Sequence, residues 1–246
     1  MKDLITSPKL PDATIINPGD VIAVGDIHAR YDLLEKFLEY VQGSQACVIL
    51  LGDIIDRGGD DVKVLNVVSS LLKEPEAIGL SNFFCLMGNH EGMFVDAVVG
   101  TGHQWGTWLH NGGNFDVYGE MQEHLDWLSE LPVYMTVGDT MFTHAGVVPG
   151  RDPLELVEKD KIDTLLWMRE PFLTYGPQFE KWNPALKQIV FGHTPKLGDG
   201  EGLPYTIPDG ICIDSGGYFT GVLTAYNVTQ QTFYQFSAKD EKTTSR

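Results

Sequence analysis

Five apolar runs in this chain end in a small residue and then present side chains of the metal-binding kind. They read VIAVGDIH (21–28), VILLGDIIDRG (48–58), FFCLMGNHE (83–91), MFTHAG (141–146) and IVFGHTP (189–195). The donors they offer are Asp26, His28, Asp53, Asn89, His144 and His193. Oxygen and imidazole nitrogen together suit Mn²⁺, Fe or Zn²⁺ better than Ca²⁺ or Cu(I). Six such side chains exceed what one catalytic ion with an open position needs. They fit two ions about 3.5–4 Å apart that share a bridging carboxylate. Asp53, on the middle one of the three early strands, is the expected bridge. Each motif alone is weak: Asp-x-His is common, GNH can be a plain turn, and a lone buried His is often a core residue. Their joint occurrence in order, each at a strand end, carries the signal. His103, His110 and His124 lack that setting and read as structural or surface residues.

Positioning these groups requires strands that finish along one edge. DVIAV, ACVILL and NFFCLM read as buried strands, and 31–41 and 60–73 carry helical apolar spacing between them. A further helix is expected from EGMFVDAVV (91–99). Strand–helix alternation predicts an α/β fold with a parallel sheet under helices. In such sheets ligands sit beyond the carboxyl ends of the strands, so the six donors should face one crevice. Glycine beside each lets backbone segments approach. The second half predicts a hairpin across Gly138-Asp139, strands at KQIVFGH and GICIDSGG, and a closing antiparallel pair, GVLTAYNV with TFYQFSA. Two stretches, 101–120 and 147–186, read as irregular. Their Trp105, Trp108, Trp167 and Trp182 are candidates to line a substrate path, against a core role for each. Residues 1–19 read as an extended lead-in and 237–246 as a frayed tail to a single domain spanning 1–246.

The composition narrows the function classes. With 34 acidic and 17 basic residues the net charge is −17, which repels a phosphate backbone and argues against nucleic-acid binding. Three cysteines, Cys47, Cys85 and Cys212, sit in apolar runs without CxxC spacing and read as buried thiols. The start MKDLITSPKLP lacks the apolar core of a signal peptide, and no apolar run is long enough to span a bilayer. The expectation is a soluble, cytoplasmic, monomeric protein with no membrane partner. No cysteine has an Arg six residues on, and no GxxxxGK[ST] loop occurs, so a Cys-x5-Arg phosphatase and a P-loop NTPase have no support.

The blocks GDIHA, GDIIDRG, GNHE, THAG and FGHTP resemble the calcineurin-like metallophosphoesterases, and within them the PPP-type serine/threonine protein phosphatases. The resemblance spans residues 25–217. WLHNGG and LLWMRE look most like the small bacterial and phage branch, which includes the phage lambda phosphatase. It implies a β-sandwich of mixed sheets flanked by helices and two divalent ions, Mn²⁺ first among them, with Fe or Zn²⁺ as alternatives. By position, Asp26 and His28 would hold one ion, Asp53 would bridge, and Asn89, His144 and His193 would hold the other. His90 would be the general acid and Asp56 its partner. Arg57 and Arg169 would clamp the phosphate beside Asn89, Arg169 resting on the weaker W-x-R-E match.

The implied reaction is hydrolysis of a phosphomonoester, in a phosphorylated protein or a small molecule, by metal-activated hydroxide attacking phosphorus in line. Serine or threonine phosphate is the expected substrate, with tyrosine phosphate open. The chemistry agrees: an alkoxide leaves poorly and needs a proton, and an Arg fork matches two phosphate oxygens. One alternative is a symmetrical dinucleoside tetraphosphate (Ap4A-type) hydrolase; that branch usually lacks the Asp of DRG and carries GNHD, whereas this chain has Asp56 and Glu91. A scaffolding pseudo-enzyme would have lost ligands, and none is lost here. Two positions depart from the family habit. Met87 stands where many members have Arg before GNHE, and reads equally as the inward end of a buried strand. Ala29 stands where Gly is usual, which is costly if the turn needs positive φ. Arg30 reads as a helix-start residue rather than a third rim cation.

Overall fold

In this computed structural model the structure describes residues 16–100, 104–157, 161–197 and 202–238. The lead-in over 1–19 and the tail over 237–246 fall largely outside them, as does His103.

Ten strands are present among the described residues: β1 (Val21–Val24), β2 (Cys47–Leu50), β3 (Asn82–Cys85), β4 (Tyr134–Val137), β5 (Thr140–Thr143), β6 (Gln188–Phe191), β7 (Tyr205–Ile207), β8 (Gly210–Cys212), β9 (Val222–Asn227) and β10 (Thr232–Ser237). They form two five-stranded mixed sheets, ordered β10-β9-β1-β2-β3 and β4-β5-β6-β8-β7. The expected parallel run appears as β1-β2-β3, and the expected closing hairpin, β9-β10, pairs antiparallel onto β1. In the second sheet β5, β6 and β8 are parallel, and the β4-β5 hairpin adds an antiparallel edge. The short strand β7 has no apolar run to announce it and is fixed by pairing with β8.

The helices are α1 (Tyr31–Val41), α2 (Asp61–Lys73), α3 (Asn89–Val99), α4 (Gln104–His110), α5 (Tyr118–Met121), α6 (Leu125–Ser129), α7 (Leu154–Val157), α8 (Asp163–Leu166), α9 (Phe172–Tyr175) and α10 (Gly217–Thr220). Leu33, Leu34, Phe37 and Val41 of α1, and Val64, Leu65, Val68 and Leu71 of α2, are buried against the first sheet. That is the apolar stripe read in the sequence, now covering one face of the sheet. The other face meets the second sheet through Ala23, Ile49, Leu51, Phe142, Val190 and Ile213, all fully buried. Both faces of β1 and β2 are therefore dry, which explains why they read as continuous apolar runs.

Two expectations change. The stretch 101–120 is partly helical, because Trp105, Trp108, Phe115 and Tyr118 pack ring against ring and order α4 and the turn after it. The helix expected from Glu91 begins at Asn89. Gly88 is its extended N-cap, and Glu91 reaches back to the Gly88 N–H (2.8 Å), which is the return half of a capping box. The first helical turn thus carries Asn89 and His90. Among the described residues no helix is long and apolar enough to cross a membrane.

Candidate metal centre

The parallel strands end on one side of the sandwich, and a cleft of about 310 Å³ opens there. Asp26, His28, Asp53, Asn89 and His193 line it, together with Arg57 and Arg169. His144 lies directly beneath, fully buried, with its Nε2 2.9 Å from Asn89 Oδ1 and 3.2 Å from His193 Nδ1. All six donors converge as the strand-end argument requires. Asp53 stands between them: its Oδ2 is 3.5 Å from His28 Nε2 and its Oδ1 is 3.4 Å from His144 Nε2.

Close backbone approach makes this convergence possible. A Cβ at Gly88 would lie 2.2 Å from Asp53 Oδ1, and one at Gly192 would lie 2.2 Å from Asp26 Oδ1. Only glycine lets β3 and β6 deliver their ligands so near those carboxylates. The loops are also bent: His28, Ala29, Asp53, Asp56, Arg57 and His193 all have φ between 48° and 71°. Each such non-glycine residue costs on the order of 1–2 kcal/mol, a cost that persists where surrounding structure over-determines it. Here the His28 N–H donates to Asp53 O (2.8 Å) and the Ala29 N–H to Ile54 O (2.8 Å). A29G removes that strain and one buried methyl, so we expect Mn²⁺ affinity, measured by titration of the metal-free protein, to be kept or improved. A fall of tenfold or more would mean that packing of Ala29, not its turn, positions His28.

The electrostatics select for cations. His28 and His144 donate from Nδ1 to the carbonyls of Ile55 (3.1 Å) and Leu51 (3.0 Å), which fixes the tautomer and turns the Nε2 lone pairs toward Asp53. Burial drives the His28 pKa down to about 3, and burial with the neighbouring His144 drives His193 to about 2, so both rings are neutral donors. Burial also raises the Asp53 carboxyl, but the positive charge that the surrounding histidines can carry and the His90 N–H that it accepts (3.0 Å) outweigh this and hold its pKa low. Burial, then Asp214 and Asp53, push Asp26 well up. Neutral imidazoles and crowded carboxylates around one bridging group form a donor set for divalent ions. Two triads are close enough to hold one each: His28, Asp53 and His90, and Asp53, His144 and His193. The first includes His90 where the sequence pointed to Asp26. Asp26 lines the same cleft, its carboxylate accepting from the His193 N–H (3.2 Å).

His90 lies beneath the cleft floor and is fully buried. Its Nδ1 is 2.6 Å from Asp56 Oδ2, while its Nε2 has no hydrogen-bond partner and is 4.0 Å from Asp53 Oδ2. Asp56 also accepts from Trp108 Nε1 (3.0 Å), and its backbone N–H donates to Asp61 (2.6 Å). Trp108 is therefore a buried support for the pair, and not a path-lining residue. Trp105 packs in the same aromatic cluster, and Trp182 donates to the Pro177 carbonyl (3.2 Å). Trp167 does line the cleft, 38% exposed, its ring 5.7 Å from that of His193.

Arg57 points into the cleft. Its Nη1 donates to His28 Nε2 (2.7 Å), its Nε to Asn111 O (3.3 Å), and its guanidinium stands 4.9 Å from the Tyr218 ring. Arg169 shares that cleft from the 147–186 stretch. Arg30 turns away to Asp32 (2.7 Å) and Gly217 O (3.0 Å), the helix-start role expected of it. Met87 is core, so no cation occupies its place. His124 is buried beside Trp127, outside the cleft.

Three contributors escaped the sequence reading. The Glu91 carboxylate accepts from the N–H groups of Asp53 (2.8 Å), Ile54 (2.9 Å) and Gly88 (2.8 Å), clasping the bridging loop to the start of α3. Its available signal was a Glu at the third position of α3, from which a carboxylate can reach back to the helix start. Asp214, just past β8, sits beside Asp26 with its pKa raised by burial to about 7. Its available signal was an apolar strand ending in Asp two residues before Gly216-Gly217. Tyr218 on α10 covers His28 at 5.3 Å, and no local pattern announces it.

Comparison with known proteins agrees with this geometry. The profile of the family described as Calcineurin-like phosphoesterase matches residues 19–221. Serine/threonine-protein phosphatase 2 of Escherichia coli (strain K12) is 37% identical over 221 residues, covering 83% of this chain and 91% of the relative. An asymmetrical bis(5'-nucleosyl)-tetraphosphatase, PrpE, of Oceanobacillus iheyensis is 24% identical over 250 residues, covering 88% of this chain and 91% of the relative. Among solved structures, a putative diadenosine tetraphosphatase superposes with a TM-score of 0.58 at 24% identity, covering 94% of this chain and 97% of that one. That last likeness concerns the fold.

Proposed function

The chain belongs to the calcineurin-like phosphoesterase family, and from that premise we propose that it is a serine/threonine protein phosphatase that also admits phosphotyrosine. In this reading it works as one monomeric catalytic domain in the cytoplasm with two Mn²⁺ ions. The observation that carries the reading is the buried His90–Asp56 pair (2.6 Å), braced by Trp108, immediately behind the bridging carboxylate. An Asp at that place of the DRG motif marks the protein phosphatase branch. The 37% identity to the Escherichia coli enzyme points the same way.

Asp26, His28, Asp53, Asn89, His144 and His193 would hold the ions. When bound, the ions lower the pKa of a shared water and neutralise charge on phosphoryl oxygens. The chain's own groups do the rest. Arg57 and Arg169, which both line the cleft, would bind the phosphate through their guanidinium groups, and Asn89 would add an amide. Tyr218 and the carbonyl of Asn111 hold Arg57 in place, so little rotamer freedom is lost when phosphate arrives. His90, whose pKa Asp53 and Asp56 hold above its ordinary value against the opposing effect of burial, would supply the proton that the serine or threonine oxygen needs to leave. Asp56 fixes the ring through Nδ1 and leaves Nε2 turned toward Asp53, 4.0 Å away.

The second reading, hydrolysis of dinucleoside tetraphosphates, is favoured by the full-length similarity to the Oceanobacillus iheyensis enzyme. Assaying a phosphoserine peptide and Ap4A side by side separates the two. We expect kcat/KM for the peptide to exceed that for Ap4A; a strong preference for Ap4A overturns the proposal.

A further inference from the structure

A second cavity, of about 320 Å³, joins the catalytic cleft at Asn89 and Trp167, which line both. Helix spacing builds it. From α3 come Asn89, Gly92, Met93 and Asp96, at i, i+3, i+4 and i+7; from α4 come Gln104 and Thr107; from α8 and its end come Asp163, Leu166 and Trp167. Residues so spaced share one helix face, so three helices each turn a stripe into the groove. Its floor is apolar, with Met93 and Leu166 buried. Its charged members are two carboxylates, Asp96 and Asp163, and neither forms an ion pair among the described residues. Among the described residues no cationic side chain is in the lining. Burial and the nearby Asp163 raise the Asp96 pKa, a repulsion that a cation would relieve.

We propose that this groove is a substrate subsite that takes a lysine or arginine side chain lying close in sequence to the phosphorylated residue. The inference rests on the protein phosphatase reading and adds to it a class of substrate. An aliphatic stem fits the Met93–Leu166 floor and the Trp167 face, and the cationic head reaches the two carboxylates, as long basic side chains do at apolar surfaces. The spacing sets the register. Seven helical residues from Asn89 to Asp96 rise about 10 Å. An extended peptide covers that in about three residues, or two where the long side chain makes up part of the distance. The net charge of −17 draws basic segments toward the protein at long range. A polyphosphate tail entering the groove would instead meet two carboxylates.

The test uses phosphoserine peptides with Arg, Ala or Glu placed singly at each of the three positions on either side of the phosphoresidue. Enzymes compared are the wild type, D96N/D163N and D96K, with p-nitrophenyl phosphate as a substrate too small to reach the groove. For the wild type we expect at least about tenfold higher kcat/KM with Arg than with Ala at one or two positions, two or three residues from phosphoserine, and lower still with Glu. D96N/D163N should lose that preference, and D96K should reverse it toward Glu. All three enzymes should turn over p-nitrophenyl phosphate within about twofold of one another. Phosphopeptide turnover that ignores charge, or a preference unchanged in D96N/D163N, overturns the subsite alone. Turnover of Ap4A with none of any phosphopeptide overturns the subsite and the protein phosphatase reading together.

Discussion

Replacing His90 by Asn should lower kcat for a phosphoserine peptide by about 10²- to 10⁴-fold, the usual range for loss of a general acid. Metal content should stay as in the wild type. The variant keeps a polar side chain of similar reach at a fully buried position, so the fold is expected to survive. The result distinguishes two roles that geometry leaves adjacent, since His90 Nε2 is near enough to His28 and Asp53 to share an ion with them. Retained metal with lost turnover assigns His90 as the acid. Loss of one ion per chain makes it a ligand, and unchanged turnover removes it from catalysis. The pH profile adds a sign. His90 must be protonated to donate; burial lowers its pKa, but Asp53 and Asp56 outweigh burial and hold it above its ordinary value. Activity therefore falls as pH rises through that raised pKa. D56N withdraws one of the raising charges, so the alkaline limb of kcat/KM should move to lower pH.

Asp53 carries the largest expected effect. It faces His28 at 3.5 Å and His144 at 3.4 Å, and its Oδ1 accepts from the His90 backbone N–H (3.0 Å). No other carboxylate among the described residues belongs to both triads. Partners that only orient a ligand cost about 10- to 100-fold in metal affinity when removed; a carboxylate shared by two ions should cost more at each. D53N should thus lose both ions together and activity by more than about 10²-fold, while D26N, at one side of the cleft, should spare the triad of Asp53, His144 and His193.

Much of this site is legible in the sequence because each ligand follows a local rule. Asp26, Asp53 and His193 stand one residue past a glycine that follows an apolar strand, and strands covered on both faces cannot be polar until they emerge. The sheet then brings together residues as distant as Asp26 and His193, whose contact spans 167 positions. What stays hidden depends on loops meeting in space. Trp108 reads as an aromatic in a glycine-rich stretch, yet it donates to Asp56 across 52 positions. Glu91 reads as a branch marker, while its carboxylate holds four backbone N–H groups. Asp214 sat inside a segment read only as a strand. The left-handed turns at His28, Ala29 and Asp53 were legible only at Ala29, where a glycine was expected. Strain at the other positions has no compositional signature, because tertiary hydrogen bonds impose it.

Metal analysis of wild type and D53N, each stripped and reloaded with Mn²⁺ and assayed on a phosphoserine peptide, tests the central claim most directly. The bridged centre predicts two ions per wild-type chain, no activity without them, recovery on reloading, and loss of both ions in D53N. Full activity in the stripped protein, or D53N that keeps two ions and its turnover, would contradict it.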